Sequence, residues 1–380
     1  PKDDWMNKIY WGDNLQVMSH LLRDFRGKVD LIYIDPPFDS KADYKKKIKL
    51  KGQTVFNDTS TFEEKQYGDI WTNDEYLQFM YERLILCREL LSDTGSIFLH
   101  CDWHKSHYLR ILMDEVFGVN NFINEIIWCY KSGGAGEKGY AKKHDTILFF
   151  SKTNKVYFNT QKEKSYMGLD YSTGNKNVKL FDDHDGLGPY TLVNMKDWWS
   201  DIGMLATSSK QRVGYPTQKP EELIERIILS SSNPDDLIFD CFMGSGTTQA
   251  VAMKLGRRFI GADINLGAIQ TTTKRLLKVT SELNSQIGNE DKYTGFEVYN
   301  VNNYDLFRNP IEARELILQA LEVQPFESSN VYDGEKDGRM VKIMPVNCIA
   351  TKADLQGLLA NLPYKQFEKI KEENPSATVL

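Results

Sequence analysis

Val29-Asp30-Leu31-Ile32-Tyr33-Ile34-Asp35-Pro36-Pro37-Phe38 is the stretch on which the fold turns. Residues 29–34 are apolar and β-branched at most positions, the pattern of a strand covered on both faces in a parallel sheet. The run stops at two prolines, which remove two N–H donors and restrict the residue before them, so the turn that follows is stiff. Ligands of open α/β sheets bind beyond the carboxyl ends of the strands, which is where Asp35 falls. The Asp35 carboxylate and the Pro36 carbonyl make a fixed pair of acceptors suited to an exocyclic NH2 group, and Phe38 offers a face for a flat ring. The plain alternative is a rigid turn carrying a solvated Asp.

Outward from this strand the period alternates. Lys8 to Trp11 reads as a strand broken at Gly12-Asp13, followed by a helix with Leu15, Met18, Leu21 and Leu22 on one face. Downstream come a helix over 74–91, a turn at Asp93-Thr94-Gly95, a strand over 96–100, a helix over 105–117 and a strand over 123–128. Repeated β-α-β spacing predicts a parallel sheet flanked by helices. From about 129 to 200 glycines, lysines, tyrosines and short β-like runs replace the helices, which predicts an inserted, mostly β module. The α/β pattern resumes with a helix at 220–231, opened by Pro220. A strand at 237–239, a helix at 246–255, a strand at 258–262 and a helix at 268–283 follow. Beyond 285 the pattern is less regular, with a strand at 296–301 and a helix at 311–321.

The chain has 380 residues, room for two or three domains, and its 41% hydrophobic and 26% charged residues exclude a disordered, collagen-like or coiled-coil protein. No apolar run approaches the roughly 20 residues that cross a bilayer, and no basic-then-apolar leader opens the chain. A cytoplasmic protein without a membrane span is expected, and Pro1 in place of Met points to a processed or trimmed start. Five scattered cysteines without a C-x-x-C pair fit reduced thiols. With 47 basic against 53 acidic residues the net charge is −6, so nucleic acid can bind only where basic residues gather locally.

They gather at Lys41, Lys45, Lys46, Lys47, Lys49 and Lys51, opposed by Asp43 alone. Coming straight after the Asp35 turn, this run suits a loop that clamps phosphates, although most charge runs are plain solvated faces. Lys131, Lys142 and Lys143, with Tyr130 and Tyr140 among them, extend the same expectation into the insert.

Asp240-Cys241-Phe242-Met243-Gly244-Ser245-Gly246-Thr247-Thr248 follows a strand and opens a helix. Its glycines let the backbone approach a ligand, and a helix N-terminus favours a negative group. It lacks the Gly-Lys-Ser/Thr ending of a triphosphate loop. Asp263, one strand later, stands where an acid accepts from ribose hydroxyls. In Tyr215-Pro216-Thr217-Gln218-Lys219-Pro220, Thr217 and Lys219 are suited to hold a carboxylate, against the plain reading of an ordinary helix start. His100 and His104, near Cys101 and Asp102, lack a ligand spacing and are read as structural, so no metal site is expected.

Together these motifs resemble the beta class of S-adenosylmethionine-dependent DNA amino-methyltransferases. In that class the catalytic motif precedes the cofactor motif, with a target-recognition region between them. The resemblance covers about residues 5–280. Lys143-His144-Asp145-Thr146-Ile147-Leu148 and Trp198-Trp199-Ser200-Asp201-Ile202 are more loosely similar to the modification subunits of type III restriction systems. The resemblance implies a Rossmann-like class I methyltransferase sheet with helices on both faces. It divides the chain into a catalytic half (1–128), an inserted target-recognition region (129–205), a cofactor-binding half (206–284) and a small α+β extension (285–380), which carries no recognised motif and leaves a truncated chain in view.

By the same resemblance Asp35, Pro36, Pro37 and Phe38 form the catalytic motif. Asp13, Asp35, Thr217, Lys219, Asp240, Phe242, Gly244, Ser245, Gly246, Thr247 and Asp263 line the S-adenosyl-L-methionine pocket. Phe38 departs from a common Tyr, losing a hydroxyl but keeping the stacking face; Cys241 stands where Pro is frequent. Members with Ser in place of Asp35 more often methylate cytosine N4, so adenine N6 is the expected target, with cytosine N4 the nearest alternative. A C5-cytosine enzyme needs a nucleophilic Cys in a Pro-Cys pair, and no Cys here has that setting. A non-catalytic nucleic-acid module and a structured-RNA substrate are further alternatives. Duplex DNA is the expected partner, a homodimer the expected assembly and a restriction subunit a candidate partner.

Overall fold

The computed structural model describes residues 2–37, 48–50, 53–55, 73–130, 139–166, 179–181, 187–206, 208–209, 211–285 and 292–301, with short pieces between 314 and 343. Chain order is β1 (Asn7–Trp11), α1 (Asn14–Phe25), β2 (Val29–Ile34), β3 (Ile48–Leu50), β4 (Gln53–Val55), α2 (Asn73–Leu90), β5 (Leu91–Cys101), α3 (Ser106–Phe117), β6 (Phe122–Cys129) and β7 (His144–Ser151). Then come β8 (Lys162–Tyr166), β9 (Tyr190–Asn194), β10 (Trp198–Trp199), α4 (Glu221–Ser231), β11 (Leu237–Asp240), α5 (Thr247–Lys254), β12 (Arg258–Asp263), α6 (Leu266–Asn284) and β13 (Phe296–Asn300).

Nine strands form one sheet in the order β10-β6-β7-β5-β2-β11-β12-β1-β13. Along β2, Ile32 and Ile34 pack into a core with α1, α2 and α3, through Met18, Leu22, Met80, Leu84 and Met113. Leu31 and Tyr33 point the other way, into a core with α4, α5 and α6, through Ile224, Ile227, Ala250 and Leu276. The two-residue alternation of a strand thus feeds two apolar layers, and the result is the Rossmann-like α/β sheet with helices on both faces.

Every pairing in the main sheet is parallel except those of β7, which runs antiparallel to both β5 and β6. The sequence predicted a parallel sheet; β7 is the exception, and the sequence between it and β6 holds Ser132-Gly133-Gly134-Ala135-Gly136, poor material for the helix on which a parallel crossover usually runs. Two strands from the stretch expected as an insert, β7 and β10, belong to the main sheet, whereas β8 and β9 pair with each other, and Tyr190 of β9 also bridges Phe181. The expected turn at 93–95 lies inside β5, where the register to β2 jumps from Val29 opposite Leu91 to Leu31 opposite Ser96. Among the described residues no helix is long and apolar enough to cross a membrane.

Beyond β2 the chain moves outward to β5, and beyond β11 it moves the opposite way to β12, with β2 and β11 adjacent and parallel. Between them lies the point where the strand order reverses, the usual crevice for a ligand in this architecture. Both motif turns, after Ile34 and after Asp240, open at that crevice.

Candidate active site

Asp35 leaves β2 on the Pro36-Pro37 turn. Its Oδ2 pairs with the Lys219 ammonium, which comes from the segment ahead of α4. Its Oδ1 is shielded from solvent and has no hydrogen-bond partner among the described residues. Phe38, next along, lies outside the described residues.

The glycine turn is built by its neighbours. Asp240 ends β11 at 3% exposure; its Oδ2 accepts from Thr248 Oγ1 at 2.7 Å and its Oδ1 from Phe242 N at 3.0 Å. Burial pushes its pKa up to about 7 against those two bonds, with the charges of Asp35 and Asp263 adding to the rise. Gly244 and Gly246 hold positive φ values, 51° and 69°, and Gly246 caps α5. A side chain at Gly246 would place its Cβ 2.5 Å from Thr272 of α6. Ser245 and Thr247 share a hydroxyl contact at 3.0 Å, and Arg275 of α6 donates to the Ser245 carbonyl and to Thr247 Oγ1.

Asp263 ends β12. Its Oδ2 accepts from Gly244 N at 2.8 Å and its Oδ1 from Asn265 N at 2.8 Å. Burial raises its pKa to about 6. Each oxygen keeps a lone pair for a further donor, so a carboxylate is pinned to a glycine-bearing turn at a helix N-terminus. That donor set fits a cofactor carrying a ribose: Asp263 would meet its hydroxyls, and the Gly244–Gly246 backbone would lie against it.

Asp13 stands at the end of β1 with a structural load. Its Oδ1 caps α1 through Leu15 N and Gln16 N, and its Oδ2 pairs with Arg83 of α2 at 3.1 Å. Arg83 was not legible as a site residue. It also donates to Asn14 Oδ1 at 2.6 Å, and Asn14 in turn donates to the Cys241 carbonyl at 3.0 Å, so α2 is tied to the glycine turn. Half-buried Phe242 faces Phe79 of α2, ring centroids 6.1 Å apart.

The segment Tyr215 to Lys219 spans both turns. The Tyr215 ring reaches 3.4 Å from where a Gly244 Cβ would be, and the Lys219 carbonyl accepts from Thr247 Oγ1 at 3.5 Å. Lys219, expected to hold a carboxylate and to line the cofactor pocket, meets the carboxylate of Asp35. Thr217 is exposed, with φ 57°.

Of the basic residues, Lys142 lies 3.2 Å above the Trp103 ring. Because Thr146 of β7 pairs with Cys101 of β5, both side chains stand at the sheet edge that carries Asp35. The Lys143 carbonyl accepts from Tyr130 N. Lys41, Lys45, Lys46, Lys47 and Lys131 lie outside the described residues. His104 pairs with Asp102 at 2.7 Å, and His100 is fully buried between Tyr33 and Asp145.

A family profile described as DNA methylase, the N6_N4_Mtase family, matches residues 29–274, more than half of the chain. M.HpaI of Haemophilus parainfluenzae, a type II methyltransferase, is 31% identical over 253 residues, which span 65% of this chain and 68% of its own. YhdJ of Escherichia coli K12, a DNA adenine methyltransferase, is 28% identical over 270 residues, 70% of this chain and 82% of its own. The Mod subunit of the type III restriction-modification enzyme StyLTI of Salmonella typhimurium is 24% identical over 325 residues, 66% of this chain and 50% of its own. With the Asp35 and glycine turns opening at one crevice inside the matched span, the chain belongs to the DNA methylase family, whose members transfer a methyl group from S-adenosyl-L-methionine to an exocyclic amino nitrogen.

Proposed function

We propose that the protein methylates the N6 amino group of adenine in duplex DNA. The observation that carries this reading is Asp35: one oxygen is anchored by Lys219, and the other is shielded, without a partner among the described residues, and fixed at the crevice. An unsatisfied buried acceptor costs stability unless a ligand supplies the donor, and an exocyclic NH2 is such a donor.

An amino group inside a stacked duplex is out of reach, so the target base is turned out into the pocket, with Phe38 as its stacking face. Asp35 Oδ1 and the Pro36 carbonyl then accept from the amino hydrogens. This draws the nitrogen lone pair out of conjugation with the ring and offsets the positive charge that grows on nitrogen as its bond to the methyl carbon forms and the carbon–sulfonium bond breaks, the surplus N–H proton then leaving to solvent. When bound, S-adenosyl-L-methionine supplies an electrophilic methyl on sulfonium, and Asp263 with the Gly244–Gly246 turn would hold its nucleoside end. Placement of amine and methyl in line carries much of the rate. Lys142 beside Trp103, together with the lysine run 41–51, supplies the basic and aromatic surface that a phosphate backbone needs. The adenine methyltransferase YhdJ favours adenine, and the StyLTI Mod subunit favours a restriction-modification setting with a restriction subunit as partner; a homodimer is our expectation for the assembly.

The test is to incubate the protein with S-adenosyl-L-methionine and genomic DNA from a methylase-deficient host, digest to nucleosides and identify the product by mass spectrometry. N6-methyladenine is the expected product. N4-methylcytosine would overturn the target base, and no methylated base would overturn the activity. Asp35→Ala should lose all detectable transfer while keeping its thermal unfolding transition and cofactor binding. Turnover by a folded Asp35→Ala at the wild-type rate would remove Asp35 from the site.

A further inference from the structure

The turn that follows β5 stands at the same sheet edge as Asp35. Ile34 pairs with Leu99, so Asp35 leaves β2 level with His100, and Trp103 comes shortly beyond. Asp102 fixes this turn: its Oδ1 accepts from His104 N at 2.9 Å, and its Oδ2 lies 2.7 Å from His104 Nδ1. The backbone N–H groups of Lys105 and Ser106 donate to the Asp102 carbonyl at 3.3 and 3.1 Å. The Lys105 side chain is buried, its ammonium 5.0 Å from the Tyr76 ring centroid, so the turn is anchored inward as well.

Trp103 is half-buried on this rigid turn. Two side chains lie against its indole: Lys142 Nζ is 3.2 Å from the ring centroid, and the His104 ring centroid is 3.4 Å away with the planes 32° apart. His104 is tied to Asp102 and braces the ring. Lys142 is exposed, on the chain ahead of β7, and among the described residues it makes no ion pair. Tyr140, just before it, is fully exposed. An ammonium over an exposed ring is held by a modest attraction, whereas phosphates are the dominant partners of lysine on nucleic acid. A bare indole face stacks on any base, because every base has a π face.

We propose that Lys142 is a placeholder on Trp103: on DNA binding its ammonium moves to a phosphate, and the indole face it leaves stacks on a base of the opened duplex. Turning the target base out of the helix costs stacking on both sides of it. A rigid indole beside the crevice recovers part of that cost by stacking on a base that has lost its neighbour. The exchange leaves no charge and no aromatic face unpartnered in the complex. Lys142 thus contributes through charge and depends on salt, while Trp103 contributes through stacking and does not. This inference rests on the reading of the protein as a methylase that turns a base out of duplex DNA; the target itself is left to Asp35 and Phe38.

The test uses the full chain. The sequence holds 7 tryptophans, so the Trp103 share of the fluorescence is the difference between wild type and Trp103→Phe. That share should be quenched by a short single-stranded oligodeoxynucleotide of mixed sequence, whose bases are unpaired. Inorganic polyphosphate, which offers phosphates without bases, should leave it unquenched. On unmethylated genomic DNA, Trp103→Leu should lower kcat/KM for DNA about tenfold, the scale of one lost base–aromatic stack. Its thermal unfolding, its affinity for S-adenosyl-L-methionine and its slope of log affinity against log salt should match wild type. Trp103→Phe, which keeps a ring, should retain most of the wild-type kcat/KM. Equal quenching by polyphosphate, equal losses in the Leu and Phe variants, or wild-type kcat/KM in Trp103→Leu would overturn the exchange. The two failures separate cleanly. Base-dependent quenching of Trp103 in a protein that methylates no base removes the methylase reading alone, and methylation indifferent to Trp103 removes the stacking alone.

Discussion

Burial of Asp240 beneath the glycine turn has a consequence in solution at the scale of one residue. Its folded pKa of about 7 lies above the unfolded value near 4, so between these values the folded chain binds a proton that the unfolded chain has lost. This contribution to stability is fully present below the unfolded pKa and disappears as the pH rises through about 7. Wild-type protein should therefore lose more stability from pH 5 to pH 8 than Asp240→Asn. The difference should be about 3 kcal/mol, at about 1.4 kcal/mol for each pH unit over which the folded form alone is protonated. Urea unfolding at the two pH values measures it, and parallel pH dependences would mean that Asp240 is ionised in the folded state throughout.

Between elements, the contact between α5 and α6 leaves no room beside the cofactor turn. Gly246 combines φ 69° with a Cβ position 2.5 Å from Thr272 Cγ2 and Oγ1, so a side chain meets both backbone strain and a clash. Gly246→Ala should destabilise by about 2–4 kcal/mol and weaken cofactor binding, read by thermal unfolding and by titration with S-adenosyl-L-methionine. Adding Thr272→Ala should restore part of the loss, because it relieves the clash and leaves the backbone strain. A double variant less stable than Gly246→Ala would show that packing against α6 is not the cause. The bond from Thr272 Oγ1 to the Gly244 carbonyl, at 3.2 Å, ties this packing to the shape of the turn.

For the whole molecule the question is how a chain of net charge −6 holds a polyanion. Long-range attraction is absent, so binding must rest on local cation clusters and should be strongly salt-dependent. Replacing Lys45, Lys46 and Lys47 by Gln should weaken DNA binding and reduce the slope of log affinity against log salt by about 2–3, each phosphate contact contributing roughly 0.9. An unchanged slope, measured by fluorescence anisotropy across a salt series, would return that run to plain surface. Lys142, paired with Trp103 at the sheet edge that carries Asp35, provides a comparison: its replacement should lower the slope by about one.

By itself the sequence determined the features whose cause is local. A strand buried on both faces needs the composition of Val29–Ile34, two prolines stiffen the turn after it, and glycines permit the positive φ values at 244 and 246. The order of the Asp35 turn, glycine turn and terminal acid was legible as well, and its resemblance to a known motif order pointed to the amino-methyltransferases. Only the tertiary structure decided which polar groups meet. Lys219 pairs with Asp35 across 184 positions, Arg83 reaches Asp13 across 70, and His100, read from the sequence as merely structural, bridges Tyr33 and Asp145. It also decided that β7 joins the main sheet antiparallel, which the stretch between Cys129 and His144 left open to the sequence. The physical reason is common to all of these: a buried polar group must find a partner, and which one it finds depends on the strands that become neighbours, a choice that carries no local signature in the chain.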